Sequence, residues 1–162
     1  MDIIQDPDPI LFKRARDVRA DEMRDVRVKA RKVLEGLRKY KHGNVRGVGL
    51  SANQVGDLRR WFVSQIFGVV INPVVLKVSE EQVWAEEMCL SKPGFKKKIK
   101  RPLWIEVQWV GKKSKPVHRR IEQVPARIFL HELDHLNGVN IWGNLLNTAV
   151  GKLRKSDSVE VD

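Results

Sequence analysis

The chain has 162 residues, of which 42% are hydrophobic, and this combination fits one globular domain and excludes a disordered protein. No stretch approaches 18 consecutive apolar residues, which excludes a transmembrane helix. The net charge is +11, and residues 92–120 alone hold eleven Lys or Arg against one acid, Glu106, which indicates either an anionic neighbour such as RNA or a solvated, solubilising edge.

The N-terminal segment, MDIIQDPDPILF, has three acids and two prolines in its first nine residues, and is therefore neither a signal peptide nor a transit peptide. Cys89 is the single cysteine, which excludes an internal disulfide. Both features predict a cytoplasmic protein whose one thiol is available for other chemistry.

Residues 22–40 are predicted to form a helix, because apolar residues recur there at helical spacing. Asp21 is available as its N-cap, and Gly43 lies near its far end. The apolar positions are Met23, Val26, Ala30, Val33, Leu34 and Leu37.

Residues 58–110 change to short β-branched and aromatic runs, which predict strands: RRWFVSQI, GVVINPVVL, EQVWAEE and LWIEVQWV. The last run alternates, with Ile105, Val107 and Trp109 on one face and Trp104, Glu106 and Gln108 on the other. A turn at 111–114, a return strand near 116–123 and a second helix from about Pro125 to Asn137-Gly138 complete the pattern.

These elements predict an α+β fold in which antiparallel β-sheets surround a central helix, with a further helix near the N-terminus. Residues 1–162 are interpreted as one catalytic domain, and the polar residues 147–162 as a flexible tail. The protein is expected to be a monomer.

The central helix carries FLHELDH at 129–135, in which His131 and His135 stand four residues apart. Residues with this spacing share one face of a helix, so both imidazoles can reach one metal ion, as in HExxH zinc sites. Glu132 points about 100° away from His131, where it can meet a metal-bound water without ligating the ion.

A third ligand is needed, and the residues leave alternatives. Ile141 occupies the place of the last histidine in the metzincin pattern, and Glu160, in the polar tail, is the only later glutamate. Cys89 is either a ligand, giving a tetrahedral site with one open position, or a small buried hydrophobe. The glycines of GVGLSANQ at 47–54 indicate either a close approach of the backbone to a ligand or a plain turn.

Taken in order, GVGLSANQ, EMCLS and HELDH resemble the GxGLAAxQ, EGCLS and HExDH motifs of the peptide deformylases. The intervals are also similar, with 35 residues from Gln54 to Cys89 and 42 from Cys89 to His131. INP at 71–73 and SKPGFKKKIKRP at 91–102 extend the resemblance, which runs from about residue 3 to 146.

The chain departs from the family pattern at several positions. Ser51 replaces the usual alanine and Lys96 a common arginine, while Met88 replaces the glycine of EGCLS, where a positive φ would be strained. The long C-terminal helix of many bacterial members has no counterpart in the polar tail. These changes bear on substrate preference and efficiency, since the ligands and Glu132 are intact.

The resemblance implies a metal-dependent hydrolase that removes the N-formyl group from formylmethionine on nascent chains and releases formate. Cys89, His131 and His135 are then the metal ligands, for Fe²⁺ in cells or for Zn²⁺, Ni²⁺ or Co²⁺ in purified protein. Glu132 is the general base, and the Gln54 amide and the Leu90 N–H meet the oxyanion.

The resemblance also implies a substrate cleft. The backbone of Gly47, Val48 and Gly49 is expected to pair with the substrate as an added strand, and Val48, Ile128 and His131 to border the methionine pocket. Glu87 and Arg101 are expected to form an ion pair, and Asp134 to orient a histidine. Formyl-Met nascent peptides are the expected partners, with ribosomal RNA contacted through residues 92–120 and no membrane.

Two rival functions remain at this point. The first is an HExxH metallopeptidase of other specificity, which would use the same ion, water and Glu132. The second is a weakly catalytic, deformylase-like protein that binds RNA or another partner, which the basic region and Met88 would favour.

Overall fold

The computed structural model describes residues 1–43 and 45–143. Two α-helices, α1 (Met23–Lys39) and α2 (Gln123–Leu136), lie in this part of the chain. The strands are β1 (Lys41–His42), β2 (Val45–Arg46), β3 (Gly49–Ser51), β4 (Trp61–Ser64), β5 (Gly68–Val78), β6 (Gln82–Met88), β7 (Lys96–Pro102), β8 (Trp104–Val110) and β9 (Pro116–Glu122). None of the helices described is long and apolar enough to cross a membrane. The predicted tail at 147–162 lies outside the described residues.

Every pair among these nine strands is antiparallel. A five-stranded sheet has the order β3-β4-β5-β8-β9, and β1-β2 and β6-β7 form two separate ribbons. Helix α2 contacts β3 and β4 of the sheet as well as β7 of the second ribbon. The predicted α+β fold, with antiparallel sheets around a central helix, is therefore confirmed.

One face of helix α2 is apolar and fully buried, and this packing fixes the position of the helix. Phe129, Leu130 and Leu136 are inaccessible to solvent, and Phe129 packs edge-to-face on Phe62 of β4 at a ring distance of 5.1 Å. Gly138 follows the helix with φ 73°, and a Cβ there would lie 2.5 Å from the Phe12 oxygen. A glycine is thus required both for the left-handed turn and for close packing.

The predicted boundaries of the helices hold to within two or three residues, whereas the predicted N-cap is wrong. Asp21 lies inside a 3-10 turn, Ala20–Glu22, that leads directly into α1. The Glu22 carboxylate accepts hydrogen bonds from Arg16 and from the Arg19 N–H, so it fixes this entry instead.

The predicted strands are present, and the buried face of β8 consists of Ile105, Val107 and Trp109, as the alternation indicates. Strand β7 was not predicted, because lysines fill four of its seven positions and lysine has a weak preference for strands. Its Ile99 and Arg101 are buried, and pairing with β6 along its whole length holds the strand in place.

A short 3-10 turn, Ala52–Val55, carries Gln54 and is closed by Asp57, whose N–H donates to the Ala52 oxygen at 2.9 Å. The Asp57 carboxylate is buried and accepts hydrogen bonds from Arg59 at 2.7 Å and from Lys29 of α1 at 3.1 Å. Burial alone would raise the pKa of Asp57, but the hydrogen bonds from Arg59 and Lys29 outweigh it and hold the pKa well below the ordinary value.

Acid is therefore expected to weaken the fold through Asp57. An aspartate whose pKa is depressed in the folded state stabilises the protein above its unfolded pKa of about 3.9, and this contribution is lost as the pH falls toward the folded value. We expect the free energy of urea unfolding to fall more steeply below about pH 5 in the wild type than in Asp57→Asn. Equal slopes in the two proteins would contradict this.

Candidate metal centre

The structure brings one sulfur and two ring nitrogens together. Cys89 lies in the turn after β6, and His131 and His135 lie one turn apart on the buried side of α2. The potential ligand atoms of the three residues all lie within 4.8 Å of one another. The Nε2 atom of His135 is 3.2 Å from Cys89 Sγ and 3.2 Å from His131 Nε2.

The other ring nitrogen of each imidazole, Nδ1, lies within hydrogen-bond distance of a side-chain oxygen. His131 Nδ1 is 2.9 Å from Glu87 Oε2, and His135 Nδ1 is 2.7 Å from Asn140 Oδ1. Asn140 donates its own N–H to the Leu11 oxygen at 3.0 Å, which turns its acceptor oxygen toward His135. Because Glu87 and Asn140 hold the Nδ1 side of each ring, the two Nε2 atoms face the centre.

The electrostatics of this ligand trio, Cys89, His131 and His135, favour a thiolate at Cys89. Burial raises the pKa of Cys89, but the neighbouring His135 and His131 outweigh burial and bring it well below the ordinary value. Burial lowers the pKa of His131, but its contacts with Cys89 and Glu87 have a larger, raising effect. The pKa of His131 therefore lies well above the ordinary value. A sulfur anion with two imidazoles is a donor set that suits divalent transition metals rather than Mg²⁺ or Ca²⁺, so these residues fit such an ion.

A buried charge network supports His131. Arg101 donates two hydrogen bonds to the Glu87 carboxylate, at 2.7 and 2.8 Å, and a third to Asp134 at 2.6 Å. The predicted Glu87–Arg101 ion pair is therefore confirmed. Asp134 contacts Arg101, which contacts Glu87, so Asp134 is linked to His131 through these two residues. Arg127, which was not predicted, donates to Glu87 at 2.7 Å.

Glu132 stands beside the trio with almost no exposure to solvent, at 4%. The Ser51 hydroxyl lies 2.7 Å from Oε2 of Glu132 and 2.8 Å from its backbone oxygen. Burial raises the pKa of Glu132, and the raising effect outweighs the nearby histidines and the Ser51 hydrogen bond. A buried carboxyl with a raised pKa is suited to accept a proton and to return it.

Gln54, in the 3-10 turn Ala52–Val55, also lies beside Cys89. Its side-chain nitrogen donates to Ser91 Oγ at 2.9 Å and lies 3.5 Å from Cys89 Sγ, while its oxygen accepts from the Ser51 N–H at 2.8 Å. Leu90 directly follows Cys89. The amide of Gln54 is thus held in one orientation beside the sulfur, and both residues line the cleft described next.

A cleft of about 320 Å³ leads to the trio. All four residues proposed to bind substrate, Gly47, Val48, Gly49 and Ile128, line it. Met88 also lines the cleft and is 47% exposed, and it ends β6 opposite Lys96 in extended backbone. Met88 therefore does not have the positive φ that would be strained, since an extended conformation suits any residue.

Comparison with known proteins agrees with this arrangement. The polypeptide deformylase family model matches residues 1–148. The peptide deformylase of Thermotoga neapolitana is 39% identical over 138 residues, which are 83% of this chain and 80% of that protein.

Solved structures agree as well. The crystal structure of Thermotoga maritima peptide deformylase has a TM-score of 0.79 at 36% identity and covers 86% of this chain and 93% of that one. The structure of the enzyme of a Vibrio parahaemolyticus bacteriophage, in complex with actinonin, has a TM-score of 0.75 at 30% identity. The match covers 87% of this chain and 100% of that chain. On the family match, the identity with these relatives and the shared fold, the chain belongs to the polypeptide deformylase family.

Proposed function

We propose that this protein removes the formyl group from N-formylmethionine at the start of newly made polypeptides and releases formate. The supporting observation is that a thiolate, two imidazoles and a buried carboxylate converge at the base of a cleft. A site of this kind can polarise a carbonyl, activate a water and exchange protons, which are the three needs of amide hydrolysis.

Cys89, His131 and His135 would hold one divalent cation, which we propose to be Fe²⁺ in cells and, in purified protein, also Zn²⁺, Ni²⁺ or Co²⁺. When bound, the cation supplies the Lewis acidity that makes a nearby water a nucleophile at neutral pH. Glu87 and Asn140 keep the two imidazoles turned toward that position.

Glu132 carries the proton. It accepts a proton as the water oxygen attacks the formyl carbon, and it returns that proton to the departing amine as the C–N bond breaks. Formate and a free amino terminus are the products. Ser51 holds the carboxylate in place through its contact with Oε2.

Gln54 and Leu90 stabilise the charge that develops on the formyl oxygen. The Gln54 amide is oriented beside Cys89 by its hydrogen bonds with Ser91 and Ser51. The Leu90 N–H follows the ligand Cys89 and is the second donor. A single preorganised donor of this kind typically lowers the barrier by about 3 kcal/mol.

The substrate binds along Gly47, Val48 and Gly49, with its methionine side chain bordered by Val48 and Ile128. Gln65 fixes this segment, because its backbone N–H donates to the Val48 oxygen at 2.9 Å and its side chain to the Gly47 oxygen at 2.6 Å. The chain therefore offers a preformed edge to an extended peptide.

Gly49→Ala is expected to abolish most activity while sparing metal binding. A Cβ on Gly49 would lie 2.4 Å from Glu132 Oε1, so the carboxylate must move away from the water that it deprotonates. We expect formate release to fall by about a hundredfold, the scale of a lost general base. Metal content, measured in the same sample, should equal that of the wild type; loss of metal would mean that the alanine disturbs the ligands instead.

The basic region gives a further proposed partner, ribosomal RNA. Lys96, Lys98 and Lys100 are exposed along β7, and Lys96 lies opposite Met88, which lines the cleft. Phosphate contacts release counterions, so binding to ribosomes should weaken steeply between low and moderate salt. Binding that is insensitive to salt would count against RNA as the partner.

The test of the proposed reaction is formate release from a formyl-Met peptide, compared with internal cleavage of the same peptide without the formyl group. We expect formate release and no internal cleavage. The reverse result would identify a metallopeptidase of other specificity. Near-zero turnover after anaerobic reconstitution with Fe²⁺, together with tight RNA binding, would identify a deformylase-like binding protein.

A further inference from the structure

Arg46 lies directly before Gly47. The residue is exposed to solvent and lines the cleft. Within residues 1–43 and 45–143, no ion pair joins Arg46 to a carboxylate. Its positive charge is therefore available to a molecule that enters the cleft.

The other charged side chains of the cleft wall are already engaged. Arg127 donates to the buried Glu87 at 2.7 Å, and Glu86 pairs with Lys96 at 3.1 Å. A carboxylate on a substrate would thus meet Arg46 rather than compete with an existing partner.

The segment that precedes the catalytic residues alternates like a strand. A Cβ added to Gly47 would lie 2.4 Å from Leu37 Cδ1, and one added to Gly49 would lie 2.4 Å from Glu132 Oε1. Both glycines therefore face inward. Arg46 and Val48, which alternate with the two glycines, are exposed to solvent, and all four residues line the cleft. This is the period of two that a strand edge shows.

The alternation fixes which substrate residue meets Arg46. The formyl end must lie by Glu132, next to Gly49, so an extended substrate runs from Gly49 toward Arg46, antiparallel to this segment. Opposed residues of an antiparallel pair place their side chains on the same face. With the methionine opposite Val48, the residue two positions later, about 7 Å along the strand, lies opposite Arg46.

We propose that Arg46 selects an acidic side chain at the third residue of the formylated chain. This inference rests on the proposed function, because it takes the formyl group to lie at Glu132. It makes Arg46 a specificity-determining residue rather than a catalytic one.

The test uses formyl-Met-Ala-X-Ala peptides with an amidated C-terminus, in which X is Glu, Gln or Lys. The amide removes the terminal carboxylate, which could otherwise reach the same cation. At low salt we expect kcat/KM for formate release to be about two- to fivefold higher with Glu than with Lys, the scale of an exposed ion pair. Arg46→Glu should reverse the order, and Arg46→Gln should make the three peptides equal.

Two controls separate Arg46 from general charge effects. Arg38→Glu makes the same charge change on an exposed position of α1 that does not line the cleft, and it should keep the wild-type order. Salt at 1 M, where the screening length is about 3 Å, should reduce the preference. Equal kcat/KM on all three peptides, or a preference that Arg46→Glu leaves unchanged, would overturn the role of Arg46 alone. No formate from any peptide would overturn the proposed function itself.

Discussion

Replacing Glu132 with glutamine is expected to lower kcat for formate release by about a hundred- to ten-thousand-fold. Glutamine has the shape of glutamate and can keep the contact with Ser51, yet it cannot accept a proton from water. The substitution therefore removes the chemistry and leaves the packing beside Gly49 in place.

The control for this prediction is the metal content of the variant. Glu132 is not one of the three clustered ligands, so Glu132→Gln should bind as much metal as the wild type. Glu106→Gln, on the outer face of β8, is a matched change that should leave formate release unaltered. A fully metallated Glu132→Gln protein with activity within a few-fold of the wild type would remove Glu132 from the mechanism.

The sequence predicts best those features that repeat over short distances. The helical spacing of Val26, Ala30 and Val33 located α1, and the alternation in LWIEVQWV gave the faces of β8, because both patterns arise from burial of one side of a regular element. Strand β7 follows no such pattern, since its stability comes from pairing with β6 and from the buried Arg101.

The site shows the same limit. His131 and His135 could be paired from local geometry, but Cys89 lies 42 residues earlier, and only its place in a set of ordered motifs made it a candidate. Asn140 and Arg127 were missed for the same reason. Each acts through hydrogen bonds that the fold sets up with residues distant in sequence, Asn140 with His135 and Leu11 and Arg127 with Glu87, Ile99 and Val83. Nothing in the neighbouring sequence marks either residue.

Replacing Arg101 with leucine is expected to destabilise the protein by about 3–5 kcal/mol, because it removes the buried cation that two buried carboxylates, Glu87 and Asp134, share. The Arg101, Glu87 and Asp134 side chains are only 3–5% exposed, so water cannot take the place of the guanidinium. Loss of the Arg101 hydrogen bonds would raise the pKa of Glu87, which keeps its contact with Arg127, and would weaken its hold on His131.

Two measurements separate this network from an ordinary surface pair. Urea unfolding should show the loss of stability in Arg101→Leu, whereas Arg120→Leu, which breaks a half-exposed pair with Glu122, should change it by less than about 1 kcal/mol. Metal affinity of folded Arg101→Leu should fall by about ten- to a hundredfold, the usual effect of losing a group that orients a ligand. Arg101→Lys keeps the charge but loses the planar fork that binds two acids at once, so both losses should be intermediate. If Arg101→Leu unfolded like the wild type, the network would not be what holds His131 in position.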